Sequence, residues 1–97
     1  MSVAVIGGID SLKRFYKKKG LKFGYRIKVI NKKIPNIRKR ISGVKEIVLF
    51  TDTISHNLVK VVVSIARKEG IQIERSHSSS ISGLEKSLLG FTLTGRN

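Results

Sequence analysis

Two short apolar runs constrain this chain more than any other feature. Val3-Ala4-Val5-Ile6 and Ile47-Val48-Leu49-Phe50 are apolar at every position. A strand with one wet face alternates apolar and polar residues, so an unbroken run reads as a strand buried on both faces. Such a strand needs helices packed above and below it, and the segments between the runs can supply them. Leu12, Phe15 and Tyr16 share one face of a helix from about Asp10 to Lys19. Asp10 or Ser11 can cap it and Gly20 can end it.

Phe23, Tyr25, Ile27 and Val29 alternate with Gly24, Arg26 and Lys28, the period of a strand at a sheet edge. Pro35 suits the first turn of a short helix through Ile37 and Ile41, closed by Gly43. Leu58, Val59, Val62, Val63 and Ala66 form a broad apolar stripe on a third helix, with Gly70 just past its end. Ile71 to Glu74 reads as a fourth strand. Ser82-Gly83-Leu84-Glu85 has the spacing of a capping box and opens a last helix covering Leu84, Leu88 and Leu89. Gly90 would end that helix, leaving residues 91–97 as a tail without assigned structure.

Alternating strands and helices joined by short loops argue for one α/β domain over residues 1–97, with a four-stranded, mostly parallel sheet. Two central strands and one edge strand give the order 2-1-3-4, with helices on both faces. The 40% hydrophobic content supports a globular core, and the chain has no cysteine for disulfides or thiolate metal sites. It has no apolar run long enough to span a bilayer and no pattern of a signal peptide, so the expectation is a cytoplasmic protein with no membrane partner.

The order 2-1-3-4 places a switch point between the first and third strands, where open α/β sheets bind ligands beyond the strand ends. Three loops should meet there. Gly7-Gly8 follows the first strand, Thr51-Asp52-Thr53-Ile54-Ser55-His56-Asn57 the third, and His77-Ser78-Ser79-Ser80 the fourth. Glycines allow close backbone approach, and hydroxyls beside helix N-termini suit phosphate. The candidate ligand-binding residues are therefore Gly7, Gly8, Asp52, Ser55, His56, Asn57, Ser78, Ser79 and Ser80. Ser55 or Asp52 also has the chemistry of a helix cap. Asp52, Ser55 and His56 contain the elements of a nucleophile, base and orienting carboxylate, and Asp52 with His56 and His77 those of a two-histidine metal site. No motif spacing supports either arrangement, so no catalytic residue, metal or cofactor is assigned. Neither a dinucleotide fingerprint nor a P-loop is present.

Charge points to a partner. Twenty Lys and Arg against six Asp and Glu give +14, and no acidic residue lies between Ser11 and Lys45. Such a block attracts polyanions through counterion release. Lys13, Arg14, Lys17, Lys18, Lys32, Lys33, Arg38, Lys39 and Arg40 are the candidate nucleic-acid-binding residues. The leading expectation is a non-enzymatic nucleic-acid-binding protein, using the basic surface of residues 13–45 and a phosphate-binding loop edge. The alternative is a binder, sensor or phosphodiester hydrolase of nucleotides or cyclic oligonucleotides, sited at the three loops. The apolar Val61-Val62-Val63 run leaves room for a third reading, a partner-binding homodimer.

The loops together resemble a family of small bacterial proteins classed as a domain of unknown function. The resemblance rests on Val5-Ile6-Gly7-Gly8, on Thr51-Asp52 with Ser55-His56-Asn57, and on Ser78-Ser79-Ser80 with Ser82, Leu84 and Glu85. Lys60 looks like a lysine that recurs in that family. The resemblance implies a Rossmann-like α/β fold and no particular activity. Where the family often carries histidine and glycine after the second strand, this chain has Ile30-Asn31-Lys32-Lys33.

Overall fold

A computed structural model describes residues 1–30 and 36–94, with backbone only for 93 and 94. The elements in chain order are β1 (Ser2–Ile6), a 3-10 turn (Asp10–Leu12), α1 (Lys13–Lys22), β2 (Arg26–Ile30), α2 (Ile37–Ile41), β3 (Glu46–Phe50), α3 (His56–Glu69), β4 (Gln72–Ser76) and α4 (Ile81–Thr94). The four strands form one parallel sheet in the order β2-β1-β3-β4. The expected α/β architecture, strand order and helices on both faces are all present. Pro35, Lys32 and Lys33, named from the sequence, lie outside the described residues.

The two unbroken apolar runs are the two central strands. All five residues of β3 are buried, as are four of five in β1. Alternate side chains of these strands serve separate cores. Ala4, Ile6, Ile47 and Leu49 pack with Ile41 of α2 and Val59, Val62, Ile65 and Ala66 of α3. Val3, Val5, Val48 and Phe50 pack with Tyr16 of α1 and Leu84, Leu88 and Phe91 of α4. Thus α1 and α4 cover one face of the sheet, and α2 and α3 cover the other. Burying one such aliphatic or aromatic side chain stabilises the fold by roughly 1.5–3 kcal/mol.

Several local expectations need correction, and most involve glycine. Gly20 does not end α1. It lies inside the helix, where an added Cβ would sit 2.2 Å from Ile27, so its lack of a side chain lets β2 pack against α1. The helix runs on to Lys22 and is closed by Phe23, with Gly24 in the left-handed region just beyond at φ +82°. Nor does Asp10 or Ser11 cap α1, because both belong to the preceding 3-10 turn. Gly90 likewise lies within α4, where a Cβ would meet the Glu74 carboxyl group at 2.6 Å. The helix runs on to Thr94, and Phe91 is fully buried in the core. Phe15 is exposed rather than core, with the Arg14 guanidinium 5.6 Å from its ring centre. Gly70 does end α3, in the left-handed region at φ +70°. Among the described residues, no helix is long and apolar enough to cross a membrane.

Candidate functional site

The loops after β1, β3 and β4 do meet at the carboxyl ends of the strands, as the switch-point argument requires. Gly7 and Gly8 have φ of +96° and +103°, conformations that L side chains rarely adopt. A Cβ on Gly7 would lie 2.7 Å from Thr53 Oγ1. That closeness lets the loop after β1 touch the loop after β3. The Gly8 N–H donates to Thr53 Oγ1 at 2.8 Å. Thr53 Oγ1 is also 3.0 Å from Ser79 Oγ and 3.2 Å from the Phe50 carbonyl.

Asp52 clamps the loop after β3 to the loop after β4. Its Oδ1 accepts from Ser79 Oγ at 2.6 Å and its Oδ2 from the Ser79 N–H at 3.1 Å. Ser79 is 1% exposed. A buried hydroxyl and a buried amide need acceptors, and one carboxylate supplies both. Tyr16 of α1 completes the joint. Its hydroxyl donates to the Ser79 carbonyl at 2.6 Å and accepts from the Ile9 N–H at 3.0 Å. Thr53 and Tyr16 were not named as site residues from the sequence. Thr53 stood inside the polar stretch, but Tyr16 shared a helix face with apolar residues and read simply as core.

The serine loop is closed on itself in the same way. Ser76 Oγ donates to the Ser78 carbonyl at 2.7 Å, and Ser78 Oγ to Ser80 Oγ at 2.9 Å. The cap of α4 is Ser80, whose Oγ accepts from the Gly83 N–H at 3.0 Å. The cap therefore lies two residues before the expected Ser82, no capping box forms because Gly83 holds the third helical position, and Glu85 instead lies 3.9 Å from Lys19 Nζ. Gly83 passes so close to the loop that a Cβ would sit 2.5 Å from the Ser78 carbonyl oxygen.

At the start of α3, Ser55 Oγ accepts from the Leu58 N–H at 3.1 Å, which is the cap expected from the sequence. His56 and Asn57 are exposed and take no part in the joint between the loops. His77 Nδ1 is 3.2 Å from Thr51 Oγ1. Ser55 is thus engaged as a cap and Asp52 as a clamp on Ser79. Among the described residues, no group of three metal-ligating side chains comes together.

The basic residues occupy separate layers. Lys13, Arg14, Lys17 and Lys18 are all exposed on α1. Lys13, Arg14 and Lys17 border a shallow groove of about 480 Å³. Arg38, Lys39 and Arg40 are exposed on α2, across the sheet from α1. Arg38 Nη1 is paired with Glu69 Oε2 at 3.0 Å. A third group of cations was not read as a cluster in the sequence. Lys60, Arg67 and Lys68 of α3, with Arg75 of β4, rim a groove of about 360 Å³ floored by Val59 and Val63. Two periodicities mark it in retrospect. Lys60, Arg67 and Lys68 fall at helical spacing, and Arg75 follows Ile73 by two in a strand.

Fold and site together define a small Rossmann-like domain whose switch-point loops are bonded to one another. Residues 2–90 match the family described as "Uncharacterized protein conserved in bacteria (DUF2325)", and the chain belongs to that family. No curated protein and no solved structure matches the chain.

Proposed function

We propose that this is a non-enzymatic, cytoplasmic nucleic-acid-binding protein whose main contact surface is the exposed side of α1. One observation carries the reading. Lys13, Arg14, Lys17 and Lys18 all face solvent on one short helix, in a stretch without any acidic residue from Ser11 to Lys45. Cations so close together repel one another, and a polyanion relieves that repulsion while releasing its own counterions. The groove beside Lys13, Arg14 and Lys17 gives phosphates a concave place to lie, with three cations on its lining against one carboxylate, Asp10.

The loop edge supports the alternative, a nucleotide or cyclic-oligonucleotide site, less well. The N–H groups of Gly8, Ser78, Ser79 and Ser80 already donate to protein oxygens. An anion there would also meet the Asp52 carboxylate. A phosphate-binding role for the N–H groups of Gly8, Ser78, Ser79 and Ser80 would need these bonds to open, whereas the cations of α1 need no rearrangement.

Filter binding at low salt with single- and double-stranded DNA and RNA tests the reading. The wild-type protein is expected to retain nucleic acid. Replacing Lys13, Arg14, Lys17 and Lys18 with Glu should weaken retention at least a hundredfold without lowering the melting temperature. Absence of retention by the wild type sinks the proposal.

A further inference from the structure

We infer that the α3–β4 groove is a second nucleic-acid-binding surface, and that one copy of the chain can join two nucleic-acid segments, one on each side of its sheet. The inference rests on the nucleic-acid reading of α1 and adds a site and an activity to it.

The topology supplies the separation. Tyr16 holds α1 on the core formed by Val3, Val5, Val48 and Phe50. Val59, Val62, Ile65 and Ala66 hold α3 on the opposite core. The sheet therefore stands between the two basic helices, and one nucleic-acid backbone lying on α1 leaves the α3 side open. Charge complementarity names the occupant. Lys60, Arg67, Lys68 and Arg75 line the groove, and among the described residues no acidic side chain does. His56 sits at one end and Ser64 lies within it, adding two further polar groups. Apart from the His56 imidazole at one end, the described lining holds no ring on which a base could stack. The floor of Val59 and Val63 instead suits the apolar faces of sugars, with the cations on phosphates. Such a site reads backbone rather than base sequence.

The groove is also continuous with a neighbour. Lys60 and Ser64 border a second hollow of about 490 Å³, which Arg38 of α2 lines from the other side. A backbone leaving the first groove across Lys60 thus meets another cation. That cation is already paired, with Glu69 at 3.0 Å.

The experiment is a capture assay. A short DNA duplex is fixed to beads, protein is added, and a second, labelled duplex is offered at low salt. The wild type is expected to bring down the label. A variant with Lys60, Arg67 and Lys68 changed to Glu should keep filter binding within about tenfold of wild type, because α1 is intact. It should lose at least nine-tenths of the capture. The neutral variant Lys60→Gln, Arg67→Gln, Lys68→Gln should fall between the two, which guards against a folding defect in the first. Wild-type filter binding without capture overturns the inference and leaves the proposed function standing. Capture undiminished in the Glu variant also overturns it, since joining would then come from paired copies using α1 alone. No filter binding by the wild type removes both readings.

Discussion

The loop edge and the two basic helical faces are the polar regions of this molecule, and they differ in where their polar groups point. At the loop edge, Asp52, Thr53, Ser79 and Tyr16 bond to one another across three loops. On α1, α2 and α3, most cations face only solvent, and the described ion pairs are Lys19 with Glu85 and Arg38 with Glu69. A cluster of serine, threonine and aspartate in a cleft resembles a ligand cradle in a sequence because both uses need the same donors and acceptors. Only the geometry separates them. A joint whose members satisfy one another closes the sheet end, while a surface of uncompensated like charge stores repulsion that a polyanion removes.

This contrast can be broken in either direction by substitution. The largest effect on stability is expected from Asp52→Ala. It strips the acceptor from the Ser79 amide and leaves the Ser79 hydroxyl with Thr53 Oγ1 alone, which should cost about 1–3 kcal/mol. For a domain of this size, that lowers the melting temperature on the order of 10 °C. Nucleic-acid retention by the folded variant should stay unchanged. A variant as stable as wild type would show that the clamp is not structural.

Tyr16→Phe comes next. It removes a donor from the Ser79 carbonyl and an acceptor from the Ile9 amide while keeping the ring packed 5.3 Å from Phe50. Urea denaturation should report a loss of about 1–2 kcal/mol. No change would mean that solvent replaces the hydroxyl without penalty.

His56→Ala should do least. The residue is exposed at the head of α3 and outside the joint, so stability should move by no more than about 0.5 kcal/mol. Polyanion binding should hold within about threefold if α1 supplies the main contact as proposed. A nucleotide that raises the wild-type melting temperature, and loses that effect in His56→Ala, would restore the loop edge as a binding site.

Much of the fold was legible in the sequence because it depends on local patterns. Unbroken apolar runs identified β1 and β3 as central, alternation put β2 at an edge, and Ser55 announced the start of α3. What escaped depends on partners distant in sequence. Gly20 and Gly90 read as helix stops, yet each is small to admit a neighbour, Ile27 and Glu74 respectively. The convergence of the three loops followed from strand order alone. Their mutual bonding did not, because Asp52 and Ser79 are 27 residues apart and a carboxylate carries no mark of what it will face. The cations of α3 and β4 were diluted by acidic neighbours in the second half of the chain, so no run of charge drew attention to them.

The central claim is that α1, not the loop edge, carries the contact with nucleic acid. Its most direct test is the slope of log affinity against log salt concentration for a DNA duplex, measured for the wild type and for a variant with Lys13, Arg14, Lys17 and Lys18 changed to Gln. Each cation neutralising a phosphate contributes about 0.9 to that slope. The account predicts a steep negative slope for the wild type and one shallower by up to about 3.6 for the variant, if all four cations sit on phosphates. A slope left unchanged by the four substitutions would contradict it.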